Sequence, residues 1–250
     1  MVVIAVILAA VTFVYGFISV TRSVTGDKIK LSIVQGNIEQ SKKWDPRHAA
    51  FIMGTYSKLT MTASEARPEL IIWPEAATPR AINQDLQLYS QVRDLAENAG
   101  TYLLLGSSSY QKFKRKGPQK LKYTNSAFLI DPYDSSKVQR YDKNRLVPFG
   151  EYLPYKEMVP WSYIHIPDPG AYIAGSECTL FNLPNSRFAV NICWEITFPD
   201  LIRGFVKRGA QFIINITNEA WFGKNRSSLP DAFDERFQGS RESGIRGALR

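Results

Sequence analysis

Three residues of this chain have the types and surroundings that thiol chemistry requires: Glu75, Lys143 and Cys193. Glu75 follows the apolar run LIIW and Pro74, Lys143 follows QRYD, and Cys193 follows FAVNI. A thiol in apolar surroundings is a poor nucleophile until a base removes its proton. A carboxylate such as Glu75 can be that base. A lysine ammonium can steady the thiolate and then a tetrahedral oxyanion. A cysteine–histidine pair is the commoner solution, but the only histidines are His48 and His165, neither at the end of an apolar run. Singly, a cysteine at a strand end is ordinarily core, a glutamate after proline a cap, and a loop lysine solvated. The joint pattern carries the information.

The elements that must position these residues alternate in type. Strands are expected at 28–38 (KIKLSIVQGNI), 69–75, 101–110, 124–132, 137–143, 186–195 and 212–221. Helices are expected at 46–66, with Ala50, Met53, Tyr56, Leu59, Thr60 and Ala63 on its inner face, at 86–100 with Gly100 at its end, and at 199–211. Nearly apolar strands alternating with helices predict an α/β fold whose sheet is covered on at least one face. In such sheets sites collect at the carboxyl ends of strands, which would let Glu75, Lys143 and Cys193 converge.

The chain has 250 residues, 44% of them hydrophobic and 22% charged, which suits one large folded domain. Its net charge is +8. The densest basic run, Lys112, Lys114, Arg115 and Lys116, precedes Gly117 and Pro118 and reads as a loop; no nucleic-acid motif accompanies it, so no nucleic-acid partner is expected. The two cysteines, Cys178 and Cys193, could pair, although the surroundings of Cys193 suit a free thiol. With no CxxC pair or Cys/His cluster, neither a zinc site nor another cofactor is expected. Residues 1–20 form an uncharged run of the length that crosses a bilayer, without the basic start of a secretory signal. Residues 21–28 read as a polar linker. Arg22, Lys28 and Lys30, taken alone, would place the domain after the helix in the cytoplasm.

The segments LIIWPEAATP, YDKNRLVPFGEYLP, NICWEITFPD and ITNEAWFG resemble the carbon-nitrogen hydrolase (nitrilase) superfamily. The LVPFGEYLP and QGNIEQSKKWD stretches and the preceding helix are similar to its branch of apolipoprotein N-acyltransferases from Gram-negative bacteria. The resemblance implies a nitrilase-like αββα sandwich over 29–223 after one transmembrane helix. It implies Glu75 as general base, Lys143 as oxyanion stabiliser and Cys193 as the acylated nucleophile. Glu151 matches a second glutamate near the site, Trp44 a tryptophan on a bordering loop, and Glu195 an acidic position after the cysteine. Trp194 stands where tyrosine is familiar; both are flat aromatics, so the exchange is expected to be tolerated, with loss of a hydroxyl hydrogen bond as the alternative. The implied partners are a phospholipid acyl donor, a lipoprotein acceptor and the membrane. The implied location is the inner membrane with the catalytic domain in the periplasm, against the sign of the three basic residues. A membrane-anchored amidase using the same triad, and an inactive fragment, are the alternatives.

After Gly223 the resemblance stops, and 224–250 is an Arg-, Ser- and Gly-rich tail with no apolar stripe. Back-translation of 228–244 permits the family's next helix in a shifted reading frame. The expectation is a chain without the earlier membrane helices, the closing strands or the last membrane helix, and therefore with an unpaired sheet edge.

Overall fold

The computed structural model describes residues 2–21, 28–112, 121–134, 137–155, 158–159 and 172–218. Most of the 21–28 linker, the basic loop after Lys112, His165, Trp221 and the 224–250 tail lie outside the described residues.

Helix α1 (Val2–Thr21) is apolar along its whole length and has no buried residue. Twenty residues rise about 30 Å, the thickness of a bilayer's hydrocarbon core. Its two threonines return their hydroxyls to the helix backbone, Thr12 to the Leu8 carbonyl and Thr21 to the Phe17 carbonyl at 2.7 Å, so neither is left unpaired in an apolar medium. The helix is long and apolar enough to cross a membrane.

The rest is two sheets with helices outside them. The first has five strands, β1 (Leu31–Ile33), β2 (Leu70–Ile72), β3 (Tyr102–Lys112), β4 (Leu121–Ile130) and β5 (Val138–Asp142), hydrogen-bonded in that order. β1, β2 and β3 are parallel, while β4 and β5 run antiparallel to their neighbours. The second has β6 (Leu180–Asn182), β7 (Arg187–Ile192) and β8 (Phe212–Ile216), with β7 and β8 parallel. A short helix, α2 (Gln40–Lys43), precedes α3 (Ala49–Ser64) between β1 and β2. α4 (Leu86–Ala99) joins β2 to β3, and α5 (Pro199–Lys207) joins β7 to β8.

Side-chain alternation divides the interior. Leu70 and Ile72 of β2, Leu104 of β3, Leu129 of β4 and Tyr141 of β5 pack with Phe188, Val190 and Ile214 of the second sheet and with Leu201 and Phe205 of α5. Ile71, Leu103, Leu105, Phe128 and Ile130, one residue out of step, pack against Ile52, Met53 and Tyr56 of α3 and Leu88 and Val92 of α4. A period of two on strands buried from both sides is what an αββα sandwich requires.

Several expectations need correcting. The strand anticipated over 28–38 is three residues long and lies at a sheet edge, with Ile33 exposed. Ala50 is exposed, and α3 begins its inner face at Ile52. β6 was not anticipated, because its three residues carry no periodic signal. The β3–β4 pairing runs further than expected in both strands, from Leu103↔Ile130 to Lys112↔Leu121. α4 ends as expected on Gly100, whose φ of 58° suits the left-handed cap.

Candidate active site

The three chemically apt residues stand at strand ends and meet. Cys193 immediately follows β7 and opens a 3-10 turn, Cys193–Thr197. Its φ is 57°, a left-handed conformation that costs a non-glycine residue about 1–3 kcal/mol and that surrounding structure must sustain. Lys143 immediately follows β5; its amide donates to the Asn125 carbonyl at 2.8 Å and its carbonyl accepts from the Gly175 amide at 2.8 Å. Glu75 lies three residues beyond β2. The tight turn that presents it passes against Gly106 of β3, where a Cβ would fall 2.6 Å from Glu75 Cα and 2.6 Å from the Pro74 carbonyl. Glycine in mid-strand is thus required by close backbone approach.

Glu75, Lys143 and Glu151 form a buried charged cluster. Lys143 Nζ donates to Glu151 Oε1 at 3.0 Å and lies 3.7 Å from Glu75 Oε1. Asn125 Nδ2 donates to both glutamates, at 2.7 Å to Glu75 Oε1 and 3.0 Å to Glu151 Oε1. The Asn218 amide donates to Glu75 Oε2 at 3.0 Å, and the Val147 amide to Glu151 Oε2 at 2.8 Å. Burial raises the Glu75 carboxyl above its ordinary value, against the pull of Lys143 and Asn125. Burial would lower Lys143, but Glu75 and Glu151 outweigh it and hold the ammonium above the usual lysine value. The Cys193 thiol is raised by burial and by the Glu75 charge, opposed by a hydrogen bond to Thr217 and by Lys143. The thiol therefore rests protonated beside a carboxylate able to take its proton and an ammonium able to meet the charge that develops.

These residues open on one cavity of about 1070 Å³, whose lining includes Trp44, Glu75, Lys143, Glu151 and Cys193. Trp194 and Glu195 do not line it. The Trp194 indole nitrogen donates to the Arg145 carbonyl, and its ring stands edge-on to Phe198 at 5.0 Å. The indole N–H thus supplies a hydrogen bond of its own at this position. Glu195 is fully buried and accepts from Tyr141 Oη at 2.9 Å and from the amides of Asn144 at 2.7 Å, Arg145 at 3.0 Å and Ile192 at 2.9 Å. It therefore ties the loop after Lys143 to the turn that holds Cys193. Both cysteines are free thiols. Among the described residues, no group of His, Cys, Asp and Glu is arranged to hold a metal.

Sequence reasoning missed Asn125, Asn218, Tyr141 and Lys43. Asparagine is depleted in strand interiors, so Asn125 within TNSAFLI was the available signal. Gly106 inside TYLLLGSSSY was another, since an isolated strand glycine marks close approach. Tyr141 and Lys43 carried none.

The two-sheet sandwich is the fold of one family. A family model described as carbon-nitrogen hydrolase matches residues 30–229, so this chain belongs to the carbon-nitrogen hydrolase family. The match reaches six residues past Gly223, where the resemblance had been expected to stop. An apolipoprotein N-acyltransferase of Geobacter metallireducens is 35% identical over 230 residues, covering 92% of this chain and 43% of the relative. One of Haemophilus ducreyi is 32% identical over 202 residues, covering 78% of this chain and 38% of the relative. The chain thus spans about two fifths of the length of these curated relatives. Among solved structures, an amidase from Nesterenkonia sp. superposes with a TM-score of 0.52 at 20% identity, covering 77% of this chain and 66% of that one. A structure of a mutant of the amidase from Nesterenkonia sp. AN1, which shows covalent addition of the acetamide moiety of fluoroacetamide at that protein's active site cysteine, superposes with a TM-score of 0.52 at 18% identity, covering 78% of this chain and 68% of that one.

Proposed function

We propose that this chain carries the catalytic site of a phospholipid-dependent N-acyltransferase acting on lipoproteins, with Glu75, Lys143 and Cys193 as its triad. The observation that carries the reading is the placement of Cys193 on a cavity of about 1070 Å³, beside a buried Glu75–Lys143 pair. Pockets for drug-sized ligands run to about 300–1,000 Å³, so this one has room for a fatty acyl chain, and Trp44, Leu86 and Val147 give it apolar walls.

In the first step Glu75 takes the proton of Cys193, and the sulfur attacks an ester carbonyl of the phospholipid. Lys143 steadies the oxyanion. Collapse expels the lysophospholipid alkoxide, which leaves with the proton from Glu75, and an acyl thioester remains on Cys193. In the second step the α-amine of a diacylglyceryl-cysteine attacks the thioester and gives a proton to Glu75. Collapse expels the thiolate, which recovers the proton, and an amide is formed. Glu151 and Asn125 hold Lys143 and Glu75 in register, Trp44 borders the acyl chain, and Glu195 with Trp194 braces the cysteine turn. Helix α1 tethers the site to a membrane that holds both substrates, which raises their effective concentration. In this reading the site faces the periplasm, against the sign of Arg22, Lys28 and Lys30. The 224–250 tail is read as a frame-shifted product; the gene's nucleotide sequence tests this, and a second frame without the family's helix contradicts it.

Membranes containing the protein, incubated with acyl-labelled phospholipid, should yield a hydroxylamine-sensitive label on Cys193 that Cys193→Ala abolishes. Turnover of small amides without that label would favour an amidase, and neither signal would indicate an inactive chain.

A further inference from the structure

We propose that Lys43 is a positioning residue of this site, whose buried ammonium fastens the helix that carries Trp44 to the backbone of Glu75. The proposal rests on the reading of Glu75 as the general base. α2 is only four residues long, and its other lysine, Lys42, lies on the surface in an ion pair with Glu39 at 3.4 Å. Lys43, the next residue, is 3% exposed. Lysine is almost never buried this fully unless it is paired. Here Nζ donates to the Glu75 carbonyl at 3.2 Å, so the ammonium grips the main chain of the base and leaves its carboxylate oxygens to Asn125 and Asn218.

A second route joins the same two elements. Asn218 Nδ2 donates to Gln40 Oε1 of α2 at 3.3 Å, while the Asn218 amide donates to Glu75 Oε2. From the opposite side, the Ala77 amide donates to the Gly106 carbonyl at 2.8 Å and the Gly106 amide to the Pro74 carbonyl at 3.2 Å. Glu75 is thus clamped between β3 and α2. Trp44 caps the C-terminus of α2 and lines the cavity, 43% exposed. An acyl chain that seats against Trp44 therefore bears, through one residue, on the peptide of the base. Burial pushes the Lys43 ammonium down to about 8, opposed by the Glu75 carboxylate; Lys143 and Glu151 stand behind Glu75 in the same cluster. The charge of Lys43 helps keep Glu75 ionised and ready to accept a proton.

The test compares Lys43→Met, which keeps length and removes charge and donor, with Lys43→Arg, which keeps both. The readout is single-turnover acylation of Cys193 by labelled phospholipid across pH, with the full chain in membranes. Lys43→Met should lower the rate at saturating phospholipid about 100-fold, as expected for a base displaced by an ångström. Its half-saturating phospholipid concentration should change less than about threefold. The acid limb of the profile should move to higher pH, because a cation beside the base is gone, and Lys43→Arg should return it. A role in packing alone would lower the melting temperature and leave the acid limb in place. Acylation within about twofold of wild type with an unmoved acid limb overturns the proposal. If Lys43→Met does not fold, Gln40→Leu breaks the other route: acylation slowed about tenfold supports the coupling, and a wild-type rate overturns it. Should wild type form no thioester, the acyltransferase reading fails by itself. The variants are then compared by iodoacetamide alkylation of Cys193, where slower alkylation in Lys43→Met supports the link and wild-type alkylation overturns it.

Discussion

Glu75 and Glu195 are both buried carboxylates beside a strand end, yet they are held in different ways. Glu195 accepts from four neutral donors, has no cation against it among the described residues and does not line the cavity. Glu75 accepts from Asn125 and Asn218, faces the Lys143 ammonium at 3.7 Å and lines the cavity beside Cys193. A carboxylate saturated by fixed backbone amides is a brace. One that keeps a mobile charge balance and access to a thiol can exchange a proton. Burial and pKa direction do not distinguish them, since burial raises both. Access and the kind of partner do.

The comparison can be broken at several places. Lys143→Met should have the largest effect. It leaves Glu75 and Glu151 buried without the ammonium they share, which costs about 3 kcal/mol of stability by chemical denaturation, and it abolishes acyl-thioester formation. Gly106→Ala should come next. Its Cβ meets the Pro74–Glu75 backbone at 2.6 Å, and the displaced base should slow Cys193 acylation about 100-fold while Glu195 is untouched. Glu195→Gln places an amide against donors and should lower the unfolding free energy by about 2 kcal/mol, measured in urea. Trp194→Phe removes one donor to Arg145 and should cost about 1 kcal/mol in the same measurement.

Acidification sharpens the contrast between stability and activity. Both carboxyls have folded values above their unfolded ones. Their contribution to stability is fully present below the ordinary glutamate value and is lost as pH rises through the raised folded values. Activity runs the opposite way, because Glu75 must be ionised to accept a proton. Between the ordinary and the raised value, lowering pH should therefore raise the stability contribution of these two groups while acylation falls. Parallel denaturation and single-turnover profiles check this.

The chemistry was legible where residue type and strand end coincided. Glu75 and Cys193 each follow an apolar run, Lys143 follows the shorter strand piece QRYD, and the fold brings them to one cavity. Glu151 and Trp44 were found through the family resemblance; a tryptophan in KKWD reads locally as a surface aromatic, while the plain reading of Glu151, a buried partner of Lys143, is the contact the fold makes at 3.0 Å. Asn125, Asn218 and Lys43 act through hydrogen bonds made across 50, 143 and 32 residues of sequence, a separation no local pattern records. Short edge elements failed for a related reason. β1 and β6 are strands because of what they pair with, and three residues cannot display a period.

The most direct test of the distinction between brace and base is the single-turnover rate of Cys193 acylation in Glu75→Gln and in Glu195→Gln, each normalised to its folded fraction. The account predicts a loss of about 1,000-fold for Glu75→Gln, the scale of a lost general base, and less than about tenfold for Glu195→Gln. Equal losses in the two variants, or wild-type acylation in Glu75→Gln, would contradict it.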